Sequence, residues 1–168
     1  ISVWDVVAMG RLRSNLVRNF RLLPGDKEAI ETALEETGMA DFRKRTINEL
    51  SGGQRQRVYI SRALATEPKI LLLYEPTSSV DSHSSNQLYD LLTELNDHIA
   101  ILLISHDLTA ISTSVKTIGC INRRLVYQGN KELTAEMIEV GYGCPVDLIA
   151  HGVPHRVLPG HQHEVRHD

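Results

Sequence analysis

Two short and almost wholly apolar runs, 69–74 and 99–104, constrain the fold of this 168-residue chain more than any other feature. Such runs are typical of strands that are buried on both faces. Between them, a helix that Asp81 or Ser82 can cap places four leucines on one face: Leu88, Leu91, Leu92 and Leu95. Strand, helix and strand at this spacing predict a βαβ unit with parallel strands and a right-handed crossover. We therefore expect an α/β fold.

The chain before these strands is expected to be helical. Residues 3–10 predict a short helix that ends at Gly10, and a second helix starts at Pro24-Gly25-Asp26 and ends at Gly38. A third helix starts at Ser51, which forms a Ser-x-x-Gln capping box with Gln54, and it runs to about residue 66.

Weaker patterns follow the second strand. They predict a short helix at 107–113, a hairpin of 115–121 with 125–128, and a last helix at 133–140. We divide the chain into part of a helical subdomain (1–48), a core (49–143) and a histidine-rich C-terminal tail (144–168).

Composition excludes several classes of protein. A net charge of −3 gives no basic surface for nucleic acid, and with 42% hydrophobic and 23% charged residues the chain is typical of a globular protein. The apolar runs are too short to cross a bilayer. Two cysteines, Cys120 and Cys144, are too few for a disulfide scaffold, so we expect a reduced, cytoplasmic chain.

The segment Leu50-Ser51-Gly52-Gly53-Gln54 carries the most chemical information. It places a serine hydroxyl and two glycine amides at the start of a helix, where partial positive charge and free N–H groups favour a phosphate. The alternative is a capped helix without a ligand. Followed by Arg55-Gln-Arg57 and Ser61-Arg-Ala-Leu64, the segment resembles the signature motif of ABC ATPases. The resemblance implies that Ser51, Gly52, Gly53 and Gln54 close over the γ-phosphate of ATP held by a facing subunit.

The end of the first predicted strand resembles the Walker B segment of the same family, which ends in Asp-Glu. Glu75 stands at the position of the glutamate that polarises the attacking water. The aspartate that supports Mg²⁺ is replaced by Tyr74, a degenerate Walker B position. A neutral phenol offers one weak oxygen where Mg²⁺ prefers a carboxylate, so we expect weaker support of the metal.

Two further residues follow the family's order. Asp81 occupies the place of the D-loop, which crosses the interface between two subunits, although capping the next helix is an alternative or additional role. His106 ends the second strand and resembles the switch histidine that contacts the γ-phosphate. These four motifs span residues 50–107, and the fold they imply is a partial P-loop NTPase (ABC ATPase) core with a parallel sheet and a helical signature subdomain.

Two parts of the family pattern are missing. The 168 residues contain no Gly-x-x-x-x-Gly-Lys-Ser/Thr phosphate loop (Walker A) and no glutamine loop (Q-loop), and they begin without methionine. We therefore expect a fragment whose upstream portion carries both loops. In the family, the strand that leads into the phosphate loop lies between the strands that correspond to 69–74 and 99–104. Without it, these two strands can pair directly, self-associate or lose their order. We expect direct pairing or self-association, because burying unpaired backbone groups is costly.

The tail is a second candidate site, for Zn²⁺. It holds five histidines, His151, His155, His161, His163 and His167, with Cys144 nearby. Imidazole is a common zinc ligand, but no spacing here matches a closed zinc site, and a flexible polar tail is the alternative. The stretch from Cys144 to Arg156 resembles the C-terminal segment of zinc- and manganese-importer ATPases. Residues 2–11 resemble the corresponding stretch in importers of metals and metal chelates.

The resemblance implies the ATP-binding and hydrolysing subunit of an ABC transporter that imports a metal ion. The full-length protein would use ATP and Mg²⁺, and this fragment alone would be inactive. Its partners would be a second ATP-binding subunit, a transmembrane permease and a substrate-binding protein, at the inner face of the cell membrane. Two alternatives stay open. One is an inactive partner that completes a facing subunit's ATP site; the other is a soluble, non-transport ABC ATPase of DNA repair or chromosome organisation, disfavoured because heptads and Cys-x-x-Cys are missing.

Overall fold

The computed structural model describes residues 1–12, 22–78, 80–106, 115–129, 134, 137, 148–150 and 153–155. The chain divides into two compact units, Ile1–Ala110 and Ile111–Asp168. In the described residues of the first unit, helices and a parallel two-stranded sheet alternate as the sequence predicts. Among the described residues, no helix is both long and apolar enough to span a membrane.

Four α-helices lie among the described residues of the first unit, and three of them follow a residue whose side chain caps the helix. The hydroxyl groups of Ser2 and Ser51 and the carboxylate of Asp81 each accept a hydrogen bond from the backbone N–H three residues later. The helices are α1 (Val3–Ala8), α2 (Asp26–Glu36), α3 (Gly52–Leu64) and α4 (Ser82–Leu95). All four agree with the predicted helices. Short 3₁₀ turns lie at Met9–Arg11, Ala40–Phe42 and Ile47–Glu49.

The two apolar runs form β1 (Ile70–Tyr74) and β2 (Ala100–Ile104), which pair in parallel over five residues. The pairing runs from Ile70 opposite Ala100 to Tyr74 opposite Ile104, and α4 connects the strands. The predicted βαβ unit is therefore confirmed, and so is direct pairing. Among the described residues the two strands are immediate neighbours, with no strand between them.

The prediction that both strands are buried on both faces is wrong. Leu71 and Leu73 are buried, whereas the alternating residues of β1 and β2 face outward and are 52–78% exposed: Ile70, Leu72, Tyr74, Leu102 and Ile104. In a strand, successive side chains point to opposite faces. Within the described residues the helices cover one face of this sheet. An apolar run predicts a strand that can be buried on both faces. It does not show which part of a protein packs on each face.

The core of the first unit joins all four helices to the inner face of the sheet. Apolar residues of the helices point inward, and the most deeply buried include Val3, Val7, Ile30, Leu34, Val58, Ile60 and Leu88. At its centre, the hydroxyl groups of Thr37 and Ser61 lie 2.6 Å apart, and both also bond to helix carbonyls, so this buried polar pair is satisfied. The helix α3 therefore occupies a fixed position among its neighbours.

The second unit contains two described hairpins. β3 (Ile118–Asn122) and β4 (Arg124–Gln128) pair antiparallel around Arg123, as predicted. β5 (Leu148–Ala150) and β6 (Val153–His155) form a second antiparallel pair in the tail, where the sequence shows no strong period. The predicted helix at 107–113 lies outside the described residues, as does nearly all of the one at 133–140. Cys120 is a free thiol whose pKa is raised by burial, and Cys144 lies outside the described residues.

Candidate functional site

Glu75 and His106 meet at the edge of the sheet where both parallel strands end. Glu75 follows β1, and Ser105 and His106 follow β2, so the paired register brings them together. The Nδ1 atom of His106 lies 2.9 Å from Oε1 of Glu75. The hydroxyl of Ser105 lies 3.5 Å from the other carboxylate oxygen. The carboxyl ends of parallel strands are where α/β proteins place their reacting groups, and the two predicted catalytic residues lie there in contact.

The backbone of Glu75 has a conformation that non-glycine residues rarely adopt. Its φ angle is +47°, and its N–H donates a 2.8 Å hydrogen bond to the carbonyl of Ile104. A left-handed residue other than glycine costs about 1–2 kcal/mol. The Glu75 side chain is 20% exposed and His106 is 83% exposed. A carboxylate held in such a conformation against an exposed imidazole makes this edge of the sheet the candidate functional site.

Tyr74 does not share the position of Glu75. Its side chain lies on the outward face of β1 and is 78% exposed. No group of three or more histidine, cysteine, aspartate or glutamate side chains able to hold a metal occurs among the described residues. At this edge the oxygen donors named so far are the carboxylate of Glu75, already in contact with His106, the hydroxyl of Ser105, and a phenol that faces outward. This donor set does not fit a Mg²⁺ site of its own.

The signature segment forms the start of α3. The Ser51 hydroxyl accepts from the N–H of Gln54 at 3.2 Å, and the Gln54 side-chain oxygen accepts from the N–H of Ser51 at 3.0 Å. The capping box is confirmed, and it engages the side chain of Gln54. The amides of Gly52 and Gly53 lie in the first turn, where helix N–H groups lack acceptors within the helix. The arrangement can bind an anion, and that role remains a prediction.

Asp81 caps α4. Its carboxylate accepts the backbone N–H of Ser84 at 3.0 Å and the Ser84 hydroxyl at 2.8 Å. These two hydrogen bonds, the backbone one first, lower the pKa of Asp81 from its ordinary value. The capping role is confirmed, and the interface role of the D-loop stays a prediction.

A contact between α3 and α4 joins two of the predicted segments, and the sequence analysis missed it. A Cβ atom added to Gly53 would lie 2.8 Å from the Cβ and 3.1 Å from the Oγ of Ser84. Gly53 is therefore packed against the first turn of the helix that Asp81 caps. The described contacts thus join the candidate residues in two groups, Glu75 with His106 and Gly53 with the start of α4. The only hint in the sequence is the small residue three positions after Asp81.

Most of the candidate zinc ligands of the tail are not among the described residues. His151, His161, His163 and His167 lie outside the described residues. The backbone of His155 belongs to β6, where it pairs with Leu148. A zinc site in the tail therefore remains a prediction.

Comparisons with known proteins agree on one family. Residues 5–78 match the family model described as ABC transporter. The zinc uptake system ATP-binding protein ZurA of Listeria innocua is 43% identical over 132 residues, covering 77% of this chain and 51% of that protein. The manganese transport system ATP-binding protein MntA of Synechocystis sp. is 42% identical over 149 residues, covering 85% of this chain and 56% of that protein.

A solved structure shares the fold. It is described as an inward-facing conformation of a metal-chelate type ABC transporter, and it superposes with a TM-score of 0.77 at 27% identity. The match covers 92% of this chain and 67% of that one. Against the two sequence relatives, by contrast, the chain spans about half of their length.

Proposed function

This chain belongs to the ABC transporter family of ATP-binding proteins, and we propose that it forms part of the ATP-hydrolysing subunit of a metal-ion importer. The observation that carries the proposal is the 2.9 Å contact of His106 with Glu75 where β1 and β2 end. A base and the group that orients it must lie within hydrogen-bond reach of each other and of the reacting water. Here a half-buried carboxylate and an exposed imidazole fulfil the first requirement.

In the proposed reaction each candidate residue has a separate task. Glu75 accepts a proton from the water that attacks the γ-phosphate, while the bond from the γ-phosphorus to the bridging oxygen breaks and ADP leaves. His106 holds Glu75 while its ring faces that phosphate. Across a dimer interface, the Ser51 hydroxyl and the amides of Gly52 and Gly53 stabilise the charge on the γ-phosphate of ATP bound by the facing subunit. Phosphoryl transfer depends mainly on positioning and charge stabilisation, which these groups supply.

Nucleotide binding by the same subunit requires parts that the 168 residues lack. Members of the family bind ATP and Mg²⁺ in general. Because no phosphate-loop sequence occurs here, we propose that the full-length protein carries one upstream of Ile1, together with the glutamine loop. Mg²⁺, when bound there, would neutralise charge on the phosphates of ATP.

The transported substrate is proposed from the relatives. Two of them are named for zinc uptake and manganese transport. We propose zinc or manganese as the cargo, a permease and a second ATP-binding subunit as partners, and the inner face of the cell membrane as the location. A substrate-binding protein and a zinc-binding role for His151, His155, His161 and His163 belong to the same proposal.

Tyr74 favours a second candidate function. A subunit without a Mg²⁺ carboxylate can still present its signature segment to a facing subunit's ATP. The exposed phenol at this position suits such a non-hydrolysing partner. The two candidates differ in whether this subunit hydrolyses ATP itself.

The test compares ATP turnover by the full-length protein, its Glu75→Gln variant and the 168-residue chain. As a control, Glu94→Gln removes an exposed carboxylate from α4. We expect Glu75→Gln to lower turnover by about 10²–10³-fold with ATP still bound, Glu94→Gln to have no effect, and the 168-residue chain to be inactive. Steady turnover by the short chain that Glu75→Gln abolishes would contradict the proposal. If the full-length protein is inactive but raises turnover by a second ABC subunit, the second candidate is correct.

A further inference from the structure

The first turns of α3 and α4 are in direct contact at Gly53 and Ser84. The Cβ of Ser84 occupies the space that a side chain at position 53 would need, since an added Cβ would lie 2.8 Å away. Val80, just before α4, lies on the same side, 3.5 Å from that added Cβ. Ser84 is itself fixed, because its N–H and hydroxyl both bond to Asp81.

A second contact joins the same faces of the two helices one turn further along. Arg57, four residues after Gly53, donates from Nη2 to the backbone carbonyl and the side-chain oxygen of Gln87, each at 3.4 Å. Gln87 lies three residues after Ser84. Residues three and four apart share a helix face, so the two contacts form one line along the α3–α4 interface. Arg57 also reaches the carbonyl of Thr37, just after α2, at 3.4 Å.

From this arrangement we infer that Ser84 is a positioning residue that holds the signature segment at a fixed distance from the D-loop segment. The inference rests on the proposed function, in which the signature segment acts on the facing subunit's ATP, and on the predicted place of the D-loop segment at the same subunit interface. Its physical basis is steric: backbone and Cβ atoms at closest approach cannot slide past each other without separating the helices. The two segments therefore move as one body when the subunits close.

This inference gives Gly53 a role different from the one that the signature motif implies. The motif explains the glycine by the close approach of a phosphate. The structure explains it by the close approach of α4. The two explanations predict different behaviour when the Cβ of Ser84 is removed. That change makes room for a side chain at position 53, but it does not make room for a phosphate next to that side chain.

The experiment is a rescue series at positions 53 and 84 in the full-length protein. The variants are Gly53→Ala, Ser84→Gly, Ser84→Ala and the two double variants with Gly53→Ala. Ser84→Gly removes the obstructing Cβ, whereas Ser84→Ala removes only the hydroxyl and is the matched control. Turnover and the KM for ATP are measured well below every unfolding midpoint, so that loss of folded protein does not contribute.

We expect Gly53→Ala to lower kcat about 10-fold or more with KM for ATP changed less than about 3-fold, since the proposed phosphate loop, not α3, binds the subunit's own nucleotide. The Gly53→Ala/Ser84→Gly variant should recover to within about 3-fold of Ser84→Gly alone. The Gly53→Ala/Ser84→Ala variant should stay slow. If neither double variant recovers, Gly53 serves the phosphate and the inference is wrong. It is equally wrong if both recover, or if Gly53→Ala has no effect on kcat.

Thermal unfolding of the same variants separates this inference from the proposed function. If the wild type neither hydrolyses ATP nor supports ATP turnover by a partner subunit, the proposed function fails. The contact is still tested, because Gly53→Ala should then lower Tm by about 2–12 °C, and Ser84→Gly, but not Ser84→Ala, should reverse most of that loss. If the protein hydrolyses ATP and Ser84→Gly restores Tm but not kcat, the contact serves packing alone and the positioning role is refuted.

Discussion

Arg11 joins three parts of the first unit, and its removal should destabilise that unit more than any change of a surface charge. Its Nε donates to Asp26 at 2.8 Å, and its Nη1 donates to the carbonyl of Ala65 at 2.9 Å and to Glu67 at 2.8 Å. The guanidinium therefore links the 3₁₀ turn after α1 to the start of α2 and to the residues that follow α3. The hydrogen bond to Asp26, followed by the one to Glu67, raises the pKa of Arg11.

The magnitude follows from burial. The side chains of Arg11 and Asp26 are 17% and 8% exposed, so Arg11→Met removes the guanidinium that contacts a nearly buried carboxylate. Breaking a buried pair in this way costs about 3–5 kcal/mol. For a chain of this length, 1 kcal/mol lowers Tm by about 2–4 °C, which gives a loss of roughly 6–20 °C. Glu67 is 73% exposed, so Glu67→Gln should cost at most about 1 kcal/mol.

The assay is chemical and thermal unfolding of Arg11→Met, Glu67→Gln and the double variant Arg11→Met/Asp26→Asn. The carboxylate of Asp26 accepts a 2.7 Å hydrogen bond from the N–H of Leu23, and the side-chain amide that replaces it in the double variant can still accept that bond but carries no charge. The double variant should therefore regain part of the loss. If Arg11→Met is no less stable than Glu67→Gln, or if removing the charge at position 26 recovers nothing, the buried charge is not the cause and the reasoning is refuted.

Three other predictions concern packing, the degenerate position and the tail. Gly10→Ala should lower Tm by about 2–12 °C in thermal unfolding, because its Cβ would collide with the carbonyl oxygen of Arg62 on α3; an unchanged Tm would contradict this contact. Tyr74→Asp in the full-length protein should raise ATP turnover at least about 10-fold by restoring a carboxylate, and unchanged turnover would mean that the metal is held in another way. Zn²⁺ should bind the tail with micromolar or tighter affinity at about pH 7.5 and more weakly at about pH 5.5, where imidazoles are protonated. Equal zinc uptake in calorimetry after removal of residues 151–168 would rule out a tail site.

Local features of the fold were predictable because their causes are local. The caps at Ser51 and Asp81 depend on side chains that bond to backbone three residues away, and both are confirmed. The parallel pairing of β1 and β2 follows from a short crossover helix between two apolar runs. The meeting of Glu75 and His106 then follows from register, since each comes directly after its strand or one residue later.

Features that depend on distant residues were not predictable from spacing. Arg11 and Asp26 are 15 residues apart, and Arg11 and Glu67 are 56 apart, with no periodic pattern to connect them. The approach of Gly53 to Ser84 depends on how α3 and α4 are packed, and a glycine inside a recognised motif already has another explanation. The exposure of one sheet face was missed for a third reason: apolar composition does not reveal where the covering layer comes from.

Tyr74 belongs both to the exposed face of the sheet and to the edge that holds the candidate site. It lies at the end of the outward row of β1, on the face that carries Leu72 and Ile104, so its ring extends an apolar surface up to the edge where Glu75 stands. With a carboxylate at position 74, the apolar surface of β1 would end at Leu72. If another part of the full-length protein covers the face, Tyr74→Asp should lower stability by loss of apolar burial while it raises turnover. A variant that gains turnover without losing stability would place the ring in solvent in the full-length protein, whereas one that loses stability without gaining turnover would make Tyr74 a packing residue rather than a damaged metal position.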